Sequence, residues 1–300
     1  MESKQNESVS LYSWFLLILL SLTWGSSYIL MKKGLLAYEP EQMASVRISI
    51  SMLCFLPFFF LRFRKIDWSK WKYFLIIGLT GNFLPSFLFA FAETEISSSL
   101  AGVLSSLTPL FTLLLGLLIY GIPFTRNKAA AVGIGLAGAV VLVLYGSGAN
   151  FDGNKWYALL VVMAAMMYAI SSNTVKKHLG EIKPFDMSVA SFTMVGVPAM
   201  VYLFNTDFLH RLQTHEAGWS SLGYISILSV VGTVIASVLF YKLVQLTTPV
   251  IASMVSYLIP VVALFWGFMD GEPISIFHFL GMGLILVGVY VSKQKKGREI

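Results

Sequence analysis

The sequence predicts an all-α integral membrane protein, ten transmembrane helices arranged as two inverted five-helix repeats. Three observations carry this expectation. Apolar residues make up 57% of the 300 positions and charged residues only 12%, with a mean hydropathy of +0.76. Soluble domains are about 25% charged, so this chain has too little charge to cover a water-facing surface. That excludes a disordered chain, a secreted disulfide scaffold and a cytosolic enzyme. Apolar runs long enough to cross a bilayer recur ten times, and the second half repeats motifs of the first in the same order.

A hydrocarbon core takes roughly 20 residues of helix, and the runs lie at about 11–31, 41–61, 71–92, 96–119, 127–145, 156–175, 187–204, 219–241, 248–268 and 275–292. Every backbone amide must be satisfied inside lipid, which makes these runs helices; the alternating segments of a β-barrel are not visible. The first run is too long for the core of a cleaved signal, and no small-residue cleavage site follows it. Arg47 and several Ser/Thr soften the second and seventh runs. The third has Gly81, Asn82 and Pro85 in mid-span, a broken-helix signature in which freed carbonyls can face a cavity. The fourth reaches Pro109 and the ninth Pro260. The fifth (Ala129, Gly133, Ala137) and the tenth (Gly281, Gly283, Gly288) present small-residue faces suited to close helix packing.

Basic residues set the orientation. With the N-terminus inside, 16 of the 21 Lys and Arg fall in inner segments, four outside and Arg47 within a span. Both termini are therefore expected in the cytoplasm of a multi-pass protein of the cell (inner) membrane, against the dissent of Lys32 and Lys33. The basic stretches Arg62–Lys72 and Lys293–Arg298 read as orientation signals beside anionic lipid, not nucleic-acid sites. Cys54 is the single cysteine, and His178, His210, His215 and His278 lack ligand spacing, so no metal and no cofactor is expected. The chain has no P-loop motif with which to hydrolyse ATP.

The duplication is read from registered matches. Trp24-Gly-Ser-Ser-Tyr28, leading to Lys32-Lys33, aligns with Tyr168-Ala-Ile-Ser-Ser172, leading to Lys176-Lys177, 144 positions on; Pro40 meets Pro184 and Met43 meets Met187. Ala101, Pro109 and Gly116 meet Ala252, Pro260 and Gly267 at an offset of 151, and Gly121–Thr125 aligns with Gly271–Ser275. The expected repeats are residues 1–146 and 147–300. Five spans per repeat is odd, so the second copy enters the membrane from the opposite side. That is the architecture of alternating access around a midplane site.

On these residues (Trp24-Gly-Ser-Ser-Tyr28, Arg47, Ala101…Pro109, Ala252…Pro260 and Gly271-Glu-Pro-Ile-Ser275) the chain resembles the drug/metabolite transporter superfamily, in particular its EamA-type ten-helix members. Ile122 departs from the pattern, which often has Glu there. The resemblance implies helices 1, 3, 4, 6, 8 and 9 around a central cavity, and a small-metabolite cargo such as amino acids, with both exporters and importers known.

Sparse polar and aromatic groups in apolar helices are the candidates for the cavity: Trp24 and Ser26 with Ser27; Asn82; Ser105 and Ser106 with Thr108; Tyr168, Ser172 and Asn173 with Ser171; Thr233 with Ser237 and Tyr241; and Ser256 and Tyr257 with Ser253. The competing reading is that membrane hydroxyls bond their own helix or glue neighbours, and that Trp24 and Tyr257 are packing aromatics. Arg47 either binds a substrate carboxylate, latches a gate against Glu93 or Glu95, or snorkels to the headgroups. Glu93 and Glu95 are expected at a helix end, as gate residues or solvated loop acids. The expected function is a secondary transporter of small organic metabolites, most of all amino acids or related compounds, working outward by alternating access. Its partners would be a small-molecule substrate and the lipid bilayer, with a coupling ion left open and the chain a monomer or homodimer. The alternatives are a membrane enzyme acting on lipid, and a non-transporting scaffold or sensor.

Overall fold

In a computed structural model the protein is described over residues 10–96, 98–121, 126–141, 155–269 and 276–293. The Gly271–Ser275 turn, residues 122–125 of its first-half counterpart and the basic tail beyond Lys293 lie outside the described residues. Each of the ten expected spans is helical. They are α1 (Leu11–Gly34), α2 (Pro40–Arg62), α3 (Trp68–Ala92), α4 (Ser98–Ser105, then Thr108–Leu118), α5 (Arg126–Val141), α6 (Lys155–His178) and α7 (Pro184–Phe204). After a short helix α8 (Phe208–Thr214) come α9 (Gly218–Leu246), α10 (Pro249–Ser253, then Val255–Met269) and α11 (Ile276–Lys293). Among the described residues six helices are long and apolar enough to cross a membrane uninterrupted. Outward faces carry exposed Phe15, Ile18, Leu22, Phe60, Leu61, Val201 and Phe204, as a lipid-facing surface requires.

Local chemistry explains starts and breaks. α2 opens on Pro40, whose missing N–H is harmless in the first turn, and Glu39 and Gln42 form a capping box there. Just beyond the end of α4 the chain turns at Gly121, which has φ 62, a left-handed conformation glycine adopts freely. The fourth span, expected to be continuous, is interrupted at 106–107. Pro109 has no N–H to offer the Ser105 carbonyl, and the Thr108 hydroxyl donates to that carbonyl instead at 2.7 Å. Pro260 orphans the Ser256 carbonyl in the same way, and Ser106 Oγ reaches it from α4 at 3.1 Å.

The two copies share a finer irregularity. α3 contains a π-helical stretch at Leu79–Phe83 and α9 another at Val230–Ile235, starting 151 positions apart. Gly81 and Gly232 sit at matching places within them. A Cβ on Gly81 would meet Ser171 Oγ of α6 at 2.5 Å, and one on Gly232 would meet Ser27 Oγ of α1 at 3.0 Å. Ser27 and Ser171 are themselves 144 positions apart. Each repeat's third span thus crosses the other repeat's first span at a Gly–Ser contact.

α2 and α7 run antiparallel as a flanking pair, with Phe55 stacked on Phe192 at 5.3 Å between centroids. One end is held by Arg62 and Asp186 at 2.5 Å. At the other, Gln42 donates to Asp207 at 2.5 Å, and Arg211 pairs with Asp207 at 3.0 Å and Glu39 at 2.7 Å. α5 packs along α11 on the far side of the molecule. The short α8, which is not among the ten expected spans, carries Arg211 in its last turn.

The hydrogen bond from Arg211, helped by that from Gln42, holds the Asp207 carboxyl below the usual carboxylate range. A lowered value means that its stabilising contribution is present above about pH 4 and lost as the pH falls through the lowered value. Asp207→Asn should therefore melt below the wild type at pH 7 in detergent, and the gap should close on acidification below about pH 4.

Candidate functional site

The site is built where the six helices α1, α3, α4, α6, α9 and α10 meet. Their facing side chains line a central, partly open cavity in which apolar and aromatic wall is interrupted by a few polar groups, the make-up of a small-molecule site. Much of its wall consists of matching positions from the two repeats. Trp24 and Tyr168, and Ser27 and Ser171, are related by 144 positions; Gly81 and Gly232, Ser86 and Ser237, Ser105 and Ser256, and Thr108 and Ile259 are related by 151. The cavity therefore carries the pseudo-twofold of the duplication.

Asn82 lies inside the α3 π stretch and is 8% exposed. It donates through Nδ2 to the Tyr241 hydroxyl at 3.2 Å, while its Oδ1 accepts from Ser237 Oγ at 3.1 Å, tying α3 to α9 across the cavity. Trp24 donates from Nε1 to the Gly232 carbonyl at 2.9 Å and packs on Phe240 at 5.2 Å. Phe89 lies between Tyr28 (5.9 Å) and Tyr168 (6.1 Å). Arg47 is the one lining residue from outside the six helices, and among the described lining residues the one with a formal charge. It is 9% exposed. Its Nε donates to Thr233 Oγ1 at 2.8 Å, and its Nη1 lies 3.9 Å from Met31 Sδ.

Of the residues singled out from the sequence, the structure brings Trp24, Asn82, Ser105, Tyr168, Ser256 and Arg47 to this cavity, together with their companions Ser27, Thr108, Ser171, Ser237, Tyr241 and Ser253. Ser26 is not among them: its hydroxyl donates to Leu22 O and accepts from Trp266 Nε1 at 2.8 Å. Ser106 serves the proline-orphaned carbonyl of Ser256. Ser172 bonds back to Ala169 O at 3.2 Å. Asn173 ties α6 to α4 through the Thr112 carbonyl at 3.0 Å. Thr233 stands behind Arg47, receiving its Nε–H and donating to Leu228 O at 3.2 Å. Tyr257 is fully buried, donates to Val132 O at 3.0 Å and lies against Gly135, so it fastens α10 to α5. Glu93 caps the end of α3 and accepts from Ser98 Oγ at 3.2 Å, whereas Glu95 is exposed. Neither forms an ion pair with Arg47, so the expected latch is not present in this state.

Sequence reasoning passed over Met31, Ser86, Phe89 and Phe240, and used Tyr28 only as a motif letter. A signal for them existed. Positions 24, 27, 28 and 31 form one helical face, as do 82, 86 and 89, and 237, 240 and 241. Applying that spacing from Trp24 excludes Ser26, which points nearly the opposite way.

These features define a class: a polytopic all-helical membrane protein with inverted repeats and a central cavity walled by matching positions of both. The profile of the EamA-like transporter family matches residues 11–144 and again 155–293, and the chain belongs to that family. It is a membrane transporter and not an enzyme. It is 27% identical over 279 residues to the uncharacterized inner membrane transporter YedA of Escherichia coli K12, covering 91% of this chain and 88% of that one. It is 24% identical to a probable amino-acid metabolite efflux pump of Salmonella typhimurium, covering 93% of each. Over 63% of this chain it is 25% identical to 65% of a probable terminal-alkyne amino-acid exporter of Streptantibioticus cattleyicolor. A solved crystal structure superimposes with a TM-score of 0.69 at 17% identity, covering 94% of this chain and 96% of the other, and shares the fold.

The contrast between Asn82 and Tyr257 gives a prediction. Tyr257→Phe removes one buried hydrogen bond remote from the cavity and should cost about 1 kcal/mol of stability while leaving ligand affinity unchanged. Asn82→Ala should lower ligand affinity and flux beyond what its own loss of stability explains. Thermal melts paired with binding measurements on the same preparations check both.

Proposed function

We propose that this protein is a secondary transporter that exports small organic metabolites, foremost amino acids or related compounds, across the inner membrane by alternating access, with both termini in the cytoplasm. The observation that carries this reading is the cavity wall made of paired positions from two inverted copies. A scaffold or sensor gains nothing from a polar pocket on a pseudo-twofold axis. Two copies that exchange slightly different conformations would open the pocket to opposite faces in turn. The names of the Salmonella and Streptantibioticus relatives support an amino-acid-like cargo and the outward direction. The excess of Lys and Arg in the segments assigned inside supports the orientation.

Purified protein in proteoliposomes preloaded with a labelled amino-acid mixture should show saturable counterflow without ATP. Tags at the two ends should become accessible from the same side of the membrane. Correctly folded protein that moves neither amino acids nor any other small metabolite would overturn the reading.

A further inference from the structure

Much of the cavity wall is built from matching positions, but its charge is not. Arg47 has no charged counterpart: 144 positions on stands Ser191, whose hydroxyl donates to Ser188 O at 3.3 Å. A buried guanidinium in a membrane protein is strongly unfavourable unless an anion or several acceptors meet it. Here Nε is engaged by Thr233, Nη1 faces only a thioether sulfur, and among the described residues no carboxylate lies within ion-pairing distance. Glu93 instead accepts from Ser98 Oγ at 3.2 Å. The guanidinium of this lining residue is thus held through Nε, and no oxygen acceptor among the described residues meets Nη1 or Nη2; an Nη1/Nη2 edge of this kind binds a carboxylate in two parallel hydrogen bonds.

The remaining wall is aromatic and hydroxylic, with Tyr28, Phe89 and Tyr168 on one side and Trp24 and Phe240 on another. The described lining residues include no Asp or Glu to receive an ammonium group. Deepening the transport reading above and resting on its assignment of this cavity as the substrate site, we propose that the substrate is a monocarboxylate: its carboxylate seats on Arg47, its apolar or aromatic remainder lies against the rings, and a free amino group is not required for recognition. Among the described lining residues Arg47 is the one formal charge, and it gives such a substrate one preferred orientation.

The test is binding of a matched panel to purified full-length protein. L-phenylalanine, N-acetyl-L-phenylalanine and 3-phenylpropanoate keep the carboxylate; L-phenylalanine methyl ester and phenethylamine lack it. The three acids should bind, the ester and amine at least about tenfold more weakly, and Arg47→Met should weaken the acids about 10- to 100-fold. Arg47→Lys, which keeps the charge and loses the fork, should fall between. Arg47→Met should also melt, without ligand, at or above the wild-type temperature, which shows that lost binding is not lost folding. Ester and amine binding as tightly as the acids, acid affinity unchanged in Arg47→Met, or none of the acids binding would each overturn the proposal. Flux of a substrate without a carboxylate would overturn it while leaving the transport reading intact. Arg47-dependent acid binding with no flux of any metabolite would do the reverse.

Discussion

Two close crossings organise the molecule, Gly81 of α3 against Ser171 of α6 and Gly232 of α9 against Ser27 of α1. In both, a missing side chain lets another helix's hydroxyl approach the backbone at a point where the helix is already loosened into π geometry. A methyl group would collide with Ser171 Oγ at Gly81 and crowd Ser27 Oγ at Gly232. The consequences spread from there. Because α1 is held against α9, the Trp24 ring can reach the Gly232 carbonyl; because α6 is held against α3, Tyr168 can stack beside Phe89. The cavity is the space these crossings leave open between them, and its symmetry is theirs.

The coarse architecture was legible because lipid imposes one-dimensional rules: length of apolar run, placement of Lys and Arg, and the registered Gly, Pro and Ser of a duplication all lie along the chain. The interruption beside Pro109 was half visible, since a proline must orphan a carbonyl, but which hydroxyl would answer it depends on contacts between helices. Ser106 illustrates this. From sequence it is a polar speck near a proline; in three dimensions it bonds the Ser256 carbonyl, left over by a proline 154 positions away. Tyr257 and Asn173 were equally unreadable, because the same buried amide or phenol can line a cavity or clasp a neighbour, and only the neighbour's position decides. The faces of the helices, by contrast, could have been read from Trp24 by spacing alone.

Polar groups in this interior therefore have two roles that composition does not separate. Most hydroxyls close the backbone's own hydrogen-bonding ledger, returning to a carbonyl three or four residues earlier or supplying one a proline has left bare. Few are available to a ligand. Those few cluster where the helices are irregular, because a π turn or a broken helix frees the donors and acceptors that a regular one consumes. The irregular stretches of α3, α4, α9 and α10 thus coincide with the lining of the cavity.

The clamps at the two ends of the α2–α7 pair join one helix from each repeat: Arg62 to Asp186 at one end, Gln42, Arg211 and Glu39 around Asp207 at the other. A slide of one half past the other would break both fastenings together. Flexing α3 and α9 at their π turns, or α4 and α10 at their interruptions, breaks neither. The chassis is riveted between its halves at two corners, whereas its irregular joints lie within single limbs.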